Sequence, residues 1–91
     1  MQNDSDTRAE YFTGVVEVLA QTLQLSDDKA AGFSEATRLL GDLPELDSMA
    51  VLSVLTGMEE QFGIVIEDDD ISADTFENVG TLVDLVVEKT G

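Results

Sequence analysis

Apolar residues recur at helical spacing in three separate stretches, and this periodicity limits the fold more than any other feature of the chain. From about Thr7 to Gln24, the residues Tyr11, Val15, Leu19 and Leu23 fall every four positions, and Phe12, Val16 and Val18 widen the stripe. From Asp47 or Ser48 to about Phe62, the residues Val51, Leu52, Leu55, Met58 and Phe62 share one broad face, widened by Val54. From Val79 to Lys89, Leu82, Val83, Val86 and Val87 form a third stripe. The β-branched run Ile64-Val65-Ile66 has no second strand to pair with, so it reads as a buried connector. The pattern predicts an all-α fold: a small four-helix bundle of three main helices and one short one, with a long loop between the first and second main helices.

Local signals place the ends of these elements. Gly63 stands where a left-handed cap would end the second main helix. Asn78 caps the last helix, and Lys89 lies near its C-terminus, where the helix dipole favours positive charge. Ser72 caps a short helical turn through Phe76, just after the acidic stretch Glu67 to Asp70. The long stretch Leu25 to Asp47 holds the only proline and a Gly41-Asp42 pair. A short helix can start there at Ser26, before Asp27 and Asp28, or at Ser34, before Glu35. Phe33, Leu39, Leu40 and Leu43 would pin this stretch to the core. At 91 residues the chain builds one small core, so we read 1–91 as a single domain with 1–6 as a disordered N-terminal tail.

Composition then narrows the function. Twenty acidic residues face four basic ones (Arg8, Lys29, Arg38 and Lys89), a formal net charge of -16. Such a surface repels nucleic acid and anionic membrane and draws basic surfaces in. Disorder is a poor account of the acidity, because 43% of residues are apolar and periodic. With no Cys there are no disulfides or thiolate metal sites, and with no His there is no Ser-His-Asp mechanism. No nucleophile–base pair can be assembled, so we do not expect an enzyme. No apolar run reaches the ~20 residues that span a bilayer, and the polar start lacks the features of a signal peptide. We expect a cytoplasmic monomer without membrane insertion.

Asp47-Ser48, ahead of an apolar-periodic helix, is first a helix cap. The same position also suits a modified serine, because the start of a helix favours a phosphate ester by about 0.3–1 kcal/mol. Asp68, Asp70, Ser72 and Asp74 fall at the first four ligand positions of a calcium-binding loop. Ala73 stands where that loop needs Gly, and Val79 where it needs Glu, so no metal site is expected.

The segment Leu46-Asp47-Ser48-Met49 resembles the Asp-Ser-Leu prosthetic-group motif of acyl carrier proteins, with Met in place of Leu. The context matches in order and spacing. The helix after the serine ends in Glu59-Glu60-Gln61-Phe62-Gly63-Ile64, the acidic turn Glu67 to Asp70 follows, and the last helix opens Asn78-Val79-Gly80-Thr81-Leu82. The similarity covers about Tyr11 to Lys89. It implies that Ser48 receives 4′-phosphopantetheine from coenzyme A through a Mg-dependent phosphopantetheinyl transferase, with Asp47 positioning the serine through the magnesium. The arm's thiol would hold an acyl group as a thioester, so the cofactor carries the chemistry and the domain presents it. A fatty cargo would lie between helices lined by Leu52, Leu55, Met58, Phe62, Ile64 and Phe76, which otherwise read as ordinary core. The implied partners are acyl-activating enzymes, acyltransferases or synthases with basic docking surfaces.

The chain departs from the family pattern after the serine. In familiar fatty-acid carriers that helix is acidic along its exposed face, whereas here Ala50, Ser53, Thr56 and Gly57 separate the apolar residues and only Glu59 and Glu60 are acidic. Partners are therefore expected to use Met49, Val54, Glu59 and Glu60, or the loop before Ser48, and together with the long Gly32 to Glu45 connection this points to a specialised free-standing carrier. Two other readings stay open: an aminoacyl or D-alanyl carrier, and an acidic helical adaptor that binds basic partners without modification.

Overall fold

The computed structural model describes residues 4–39 and 48–90, and the side chains of these except at 4–7, 48, 68 and 73. Four α-helices follow in order: α1 (Asp4–Leu23), α2 (Asp27–Ala31), α3 (Ser48–Phe62) and α4 (Val79–Thr90). Between α3 and α4 come two 3₁₀ turns, Asp68–Asp70 and Ala73–Phe76. No strand occurs among the described residues, and Arg38 and Asn78 form one isolated antiparallel bridge. The all-α expectation stands. The short turn ending at Phe76 lies where Ser72 was expected to start it, and it winds as 3₁₀. The helix α1 begins at Asp4, so 4–6 are helical rather than part of a tail.

Helix α1 packs against both α3 and α4 and is the centre of the bundle. The core between them holds Val15, Val18 and Leu19 of α1, Val54, Leu55 and Met58 of α3, and Val79, Leu82, Val83 and Val86 of α4. Val87, expected inward, is instead 37% exposed, because Leu82, Val83, Leu85 and Val86 already fill the buried side of its helix. In the 64–66 connector, Ile64 and Ile66 are half-buried and Val65 is 71% exposed, an alternation that extended backbone imposes.

The packing of α1 on α3 depends on small residues. A β-carbon on Gly14 would stand 2.6 Å from the Phe62 ring, and one on Gly57 would stand 2.9 Å from Val18 Cγ1. Each glycine admits a side chain of the facing helix. Phe62 in turn meets Tyr11 edge to face, with ring centroids 5.8 Å apart.

The stretch after α1 is organised by hydrogen bonds. Ser26 caps α2 by accepting from the Lys29 N–H at 3.2 Å, which selects the first of the two possible helix starts. Ser34 starts a turn instead, its N–H donating to Thr37 Oγ1 at 2.8 Å. Residues 35–39 then run along the start of α4. There Val79 N–H donates to the Thr37 carbonyl at 2.9 Å and Gly80 N–H to the Glu35 carbonyl at 2.8 Å. These are first-turn N–H groups that have no partner within their own helix, so the loop caps α4. Asn78 completes the cap, accepting from Thr81 N–H at 2.9 Å while Thr81 Oγ1 accepts from Asn78 N–H at 3.2 Å. Leu39 is fully buried and Phe33 half-buried, as expected of residues that pin this stretch. Leu40, Leu43 and Asp47 lie outside the described residues.

Candidate functional site

Ser48 is the first residue of α3, and the first turn of that helix contains no acidic residue. Next to it the surface is apolar: Met49 is 78% exposed and Leu52 65% exposed. Ser53 and Thr56 continue the exposed face. The phase of α3 explains the arrangement. Val51, Val54, Leu55, Met58 and Phe62 are spaced by three or four and turn toward α1 and α4, leaving Met49 and Leu52 on the outer side.

This phase corrects two sequence-based expectations. Val54, expected on the partner-facing surface, is fully buried. Leu52, expected to line an acyl pocket, is on the surface. Counting every apolar residue of α3 into one face overlooked that Leu52 lies about a quarter-turn off the centre of the stripe, whereas Val54 lies nearer to it. The other five expected lining residues divide in two. Leu55, Met58 and Phe76 are core residues, while Phe62 and Ile64 are half-buried at its edge. The six therefore share no single surface.

The two distal acids also differ. The Glu59 carboxylate accepts the Ile66 N–H at 2.8 Å and anchors the connector to α3. Glu60 is exposed and borders a groove of about 330 Å³ between α1 and α3, together with Val18, Gln21, Gly57 and Gln61. Nothing in the sequence marks Glu59 as an anchor, since its partner is a backbone group seven residues away.

Charge is organised around two cations. Arg8 donates from Nε to both Glu35 carboxylate oxygens at 2.9 and 3.0 Å, and its Nη1 lies 2.8 Å from Asp84 Oδ1. It thus joins α1, the loop and α4, and the bond to Glu35 followed by that to Asp84 holds the guanidinium charged more firmly than usual. Lys89 Nζ lies 2.5 Å from Asp70 Oδ2, which also accepts the Glu67 N–H at 2.9 Å. The hydrogen bond from Lys89, followed by that from Glu67, holds the Asp70 carboxyl below its ordinary range, and the same pair raises Lys89. The acidic turn is thus tied to the end of α4. Among the described residues, no group of three or more acidic side chains is placed to hold a metal ion. None of their helices is long and apolar enough to cross a membrane.

No family model matches the chain. Among solved structures, the solution NMR structure of a holo acyl carrier protein from Nitrosomonas europaea matches it with a TM-score of 0.80 at 40% sequence identity. The match covers 86% of this chain and 93% of that one. A helical bundle of this order, matched to a carrier over most of both chains, defines a carrier domain, and at this identity and coverage the chain belongs to the acyl carrier protein family. Its role in general is that of a carrier.

Proposed function

We propose that this protein carries an acyl group on 4′-phosphopantetheine attached to Ser48 and presents it to partner enzymes. The observation that supports this best is the place of Ser48 at the start of α3, in a chain 40% identical to a holo carrier. The residues fit such a group: no carboxylate stands in the first turn of α3, the helix dipole favours a phosphate there, and Met49 and Leu52 nearby are exposed. When bound, the arm supplies a thiol that holds the cargo as a thioester. The chain's own part is to present Ser48 as the first residue of α3, while His and Cys are absent from the chain. Asp47 positions the serine for a Mg-dependent transferase.

The carrier is non-catalytic and cytoplasmic, and it works as a monomer with acyl-activating enzymes, acyltransferases or synthases. A fatty cargo lies against Leu55, Met58, Phe62, Ile64 and Phe76. It enters by parting α3 from the 64–76 segment, because in the present packing Leu55, Met58 and Phe76 fill the core themselves. Leu52 has no place in that set.

The test is intact mass before and after incubation with coenzyme A, magnesium and a broad-specificity phosphopantetheinyl transferase, with Ser48→Ala alongside. One added phosphopantetheine on the wild type and none on the folded variant is the expected result. No addition to a folded, unmodified wild type would favour the acidic adaptor instead.

A further inference from the structure

The segment 66–76 lies between α3 and α4 and is tied to them unequally. On the α4 side, Lys89 Nζ pairs with Asp70 Oδ2, Thr81 Oγ1 lies 2.8 Å from the Thr75 carbonyl oxygen, and the turn Ala73–Phe76 packs against the helix. Within the segment, the Glu67 N–H closes on the Asp70 carboxylate and the Ser72 N–H on Thr75 Oγ1, each at 2.9 Å. These bonds make 67–76 one piece with α4. On the α3 side, among the described residues, one side-chain hydrogen bond holds the segment, from the Ile66 N–H to the Glu59 carboxylate at 2.8 Å. The rest of that contact is apolar, with Ile66, Ile71 and Phe76 packed in a core that includes Leu55 and Met58. The bond spans the turn at Gly63, whose φ is 64°, and no atom beyond its chain neighbours lies within 4 Å of where a β-carbon would stand. The turn itself therefore offers little resistance to a change of angle.

We infer that the Glu59 carboxylate is the latch of a gate between α3 and the 66–76 segment, and that it decides which acyl groups the carrier can bury. The purpose of the gate rests on the carrier reading; the latch itself does not. When α3 parts from 66–76, the apolar contacts of Ile66, Ile71 and Phe76 are lost. A fatty chain lying in their place restores contact of the same kind. It cannot offer an acceptor to the Ile66 N–H. The Glu59 bond is therefore the part of closure that no cargo replaces, and it is the stronger kind of hydrogen bond because its acceptor is charged. A short group such as acetyl buries too little apolar surface to offset that loss, whereas an octanoyl chain buries enough. Glu59 thus acts on the cargo through the segment, as a positioning residue.

The chain has no cysteine, so an introduced thiol reports on one place. In the unmodified protein, Met58→Cys puts a thiol in the core beside the gate, and Val15→Cys puts one on α1, which the gate does not include; both positions are fully buried. Maleimide labelling rates are measured for each, alone and combined with Glu59→Ala or Glu59→Gln. Both changes at Glu59 remove the charge, and only Gln keeps an acceptor for the Ile66 N–H. Glu59→Ala is expected to speed labelling about tenfold at position 58 and less than about twofold at position 15, with Glu59→Gln within about threefold of Glu59 at both. Equal acceleration at the two positions would mean a general loss of stability and overturns the latch, as does an unchanged rate at position 58. Carriers with native Met58 and Val15, loaded by the transferase from acetyl- or octanoyl-coenzyme A, are then treated with hydroxylamine. Glu59→Ala is expected to slow cleavage of the octanoyl thioester and to leave the acetyl thioester within about twofold. An unchanged octanoyl rate overturns the role in cargo burial. A wild type that takes no phosphopantetheine, with labelling as expected, overturns the carrier reading and leaves the latch.

Discussion

Gln24 and Gly63 end their helices by the same device. Each sits in the left-handed region, with φ of 55° and 64°, and the following N–H reaches back to a carbonyl of the last turn: Leu25 to Ala20 at 2.9 Å, Ile64 to Glu59 at 3.1 Å. A side chain in that region costs about 1–2 kcal/mol, and glycine avoids the cost. Gln24→Gly is therefore expected to stabilise the protein by about 0.5–1 kcal/mol, and Gly63→Ala to destabilise it by about 1 kcal/mol, read as midpoint shifts in urea with an unchanged slope. Gly14 behaves differently, because space rather than backbone conformation decides it. A methyl there gains helix propensity of about 1 kcal/mol but collides with the Phe62 ring, which Tyr11 holds in place. Gly14→Ala is expected to destabilise by about 1 kcal/mol alone and to stabilise in a Phe62→Leu background, a reversal that a double-mutant cycle would display. An equal effect in both backgrounds would contradict the contact.

At the scale of elements, the start of α4 concentrates the structure's polar order. The loop at 35–37 supplies two carbonyls, Asn78 supplies the cap, and Thr81 closes the reciprocal bond. Asn78→Ala is expected to cost about 1 kcal/mol and Asn78→Asp to recover most of it, as thermal melts would show. The other end of α4 has a pH dependence. The Asp70 carboxyl is held below its ordinary value of 3.8 by Lys89, so its contribution is present above that value and is lost as pH falls through its lower folded-state range. The difference in melting temperature between wild type and Asp70→Asn is expected to stay constant from about pH 5 to 8 and to shrink in stronger acid. Lys89 has the opposite sign: raised in the fold, it stabilises below its ordinary value of 10.5, and that contribution is lost as pH rises through its higher folded-state range. A difference that grows on acidification would rule out the pair as the cause.

For the molecule as a whole, the excess of acidic residues means that the folded state contains net self-repulsion. Raising monovalent salt from about 0.05 to about 0.5 M is expected to increase the melting temperature, because screening lengths shrink from beyond a Debye length of about 10 Å to a few ångströms. A melting temperature that ignores salt would contradict this account of the acidic surface. Arg8 offsets part of the repulsion, since it sits between Glu35 and Asp84 and joins three segments.

The sequence by itself determined the three main helices, because helical periodicity, the glycine at position 63 and Asn78 before the last helix are local signals with local causes, whereas the choice between Ser26 and Ser34 as the start of the short helix came from the structure. It also determined the candidate site, since Ser48 and its surrounding motif are adjacent in the chain and carried the resemblance to acyl carrier proteins. The tertiary structure alone decided which side of α3 faces in. Val54 and Leu52 are both apolar, and only the positions of α1 and α4 bury the first and expose the second. It also decided the uses of Glu59, Gly14 and Arg8, because each depends on a partner seven or more residues away that no periodicity identifies. Burial and long-range hydrogen bonds depend on distances in space, and the chain order specifies those only once the elements have packed.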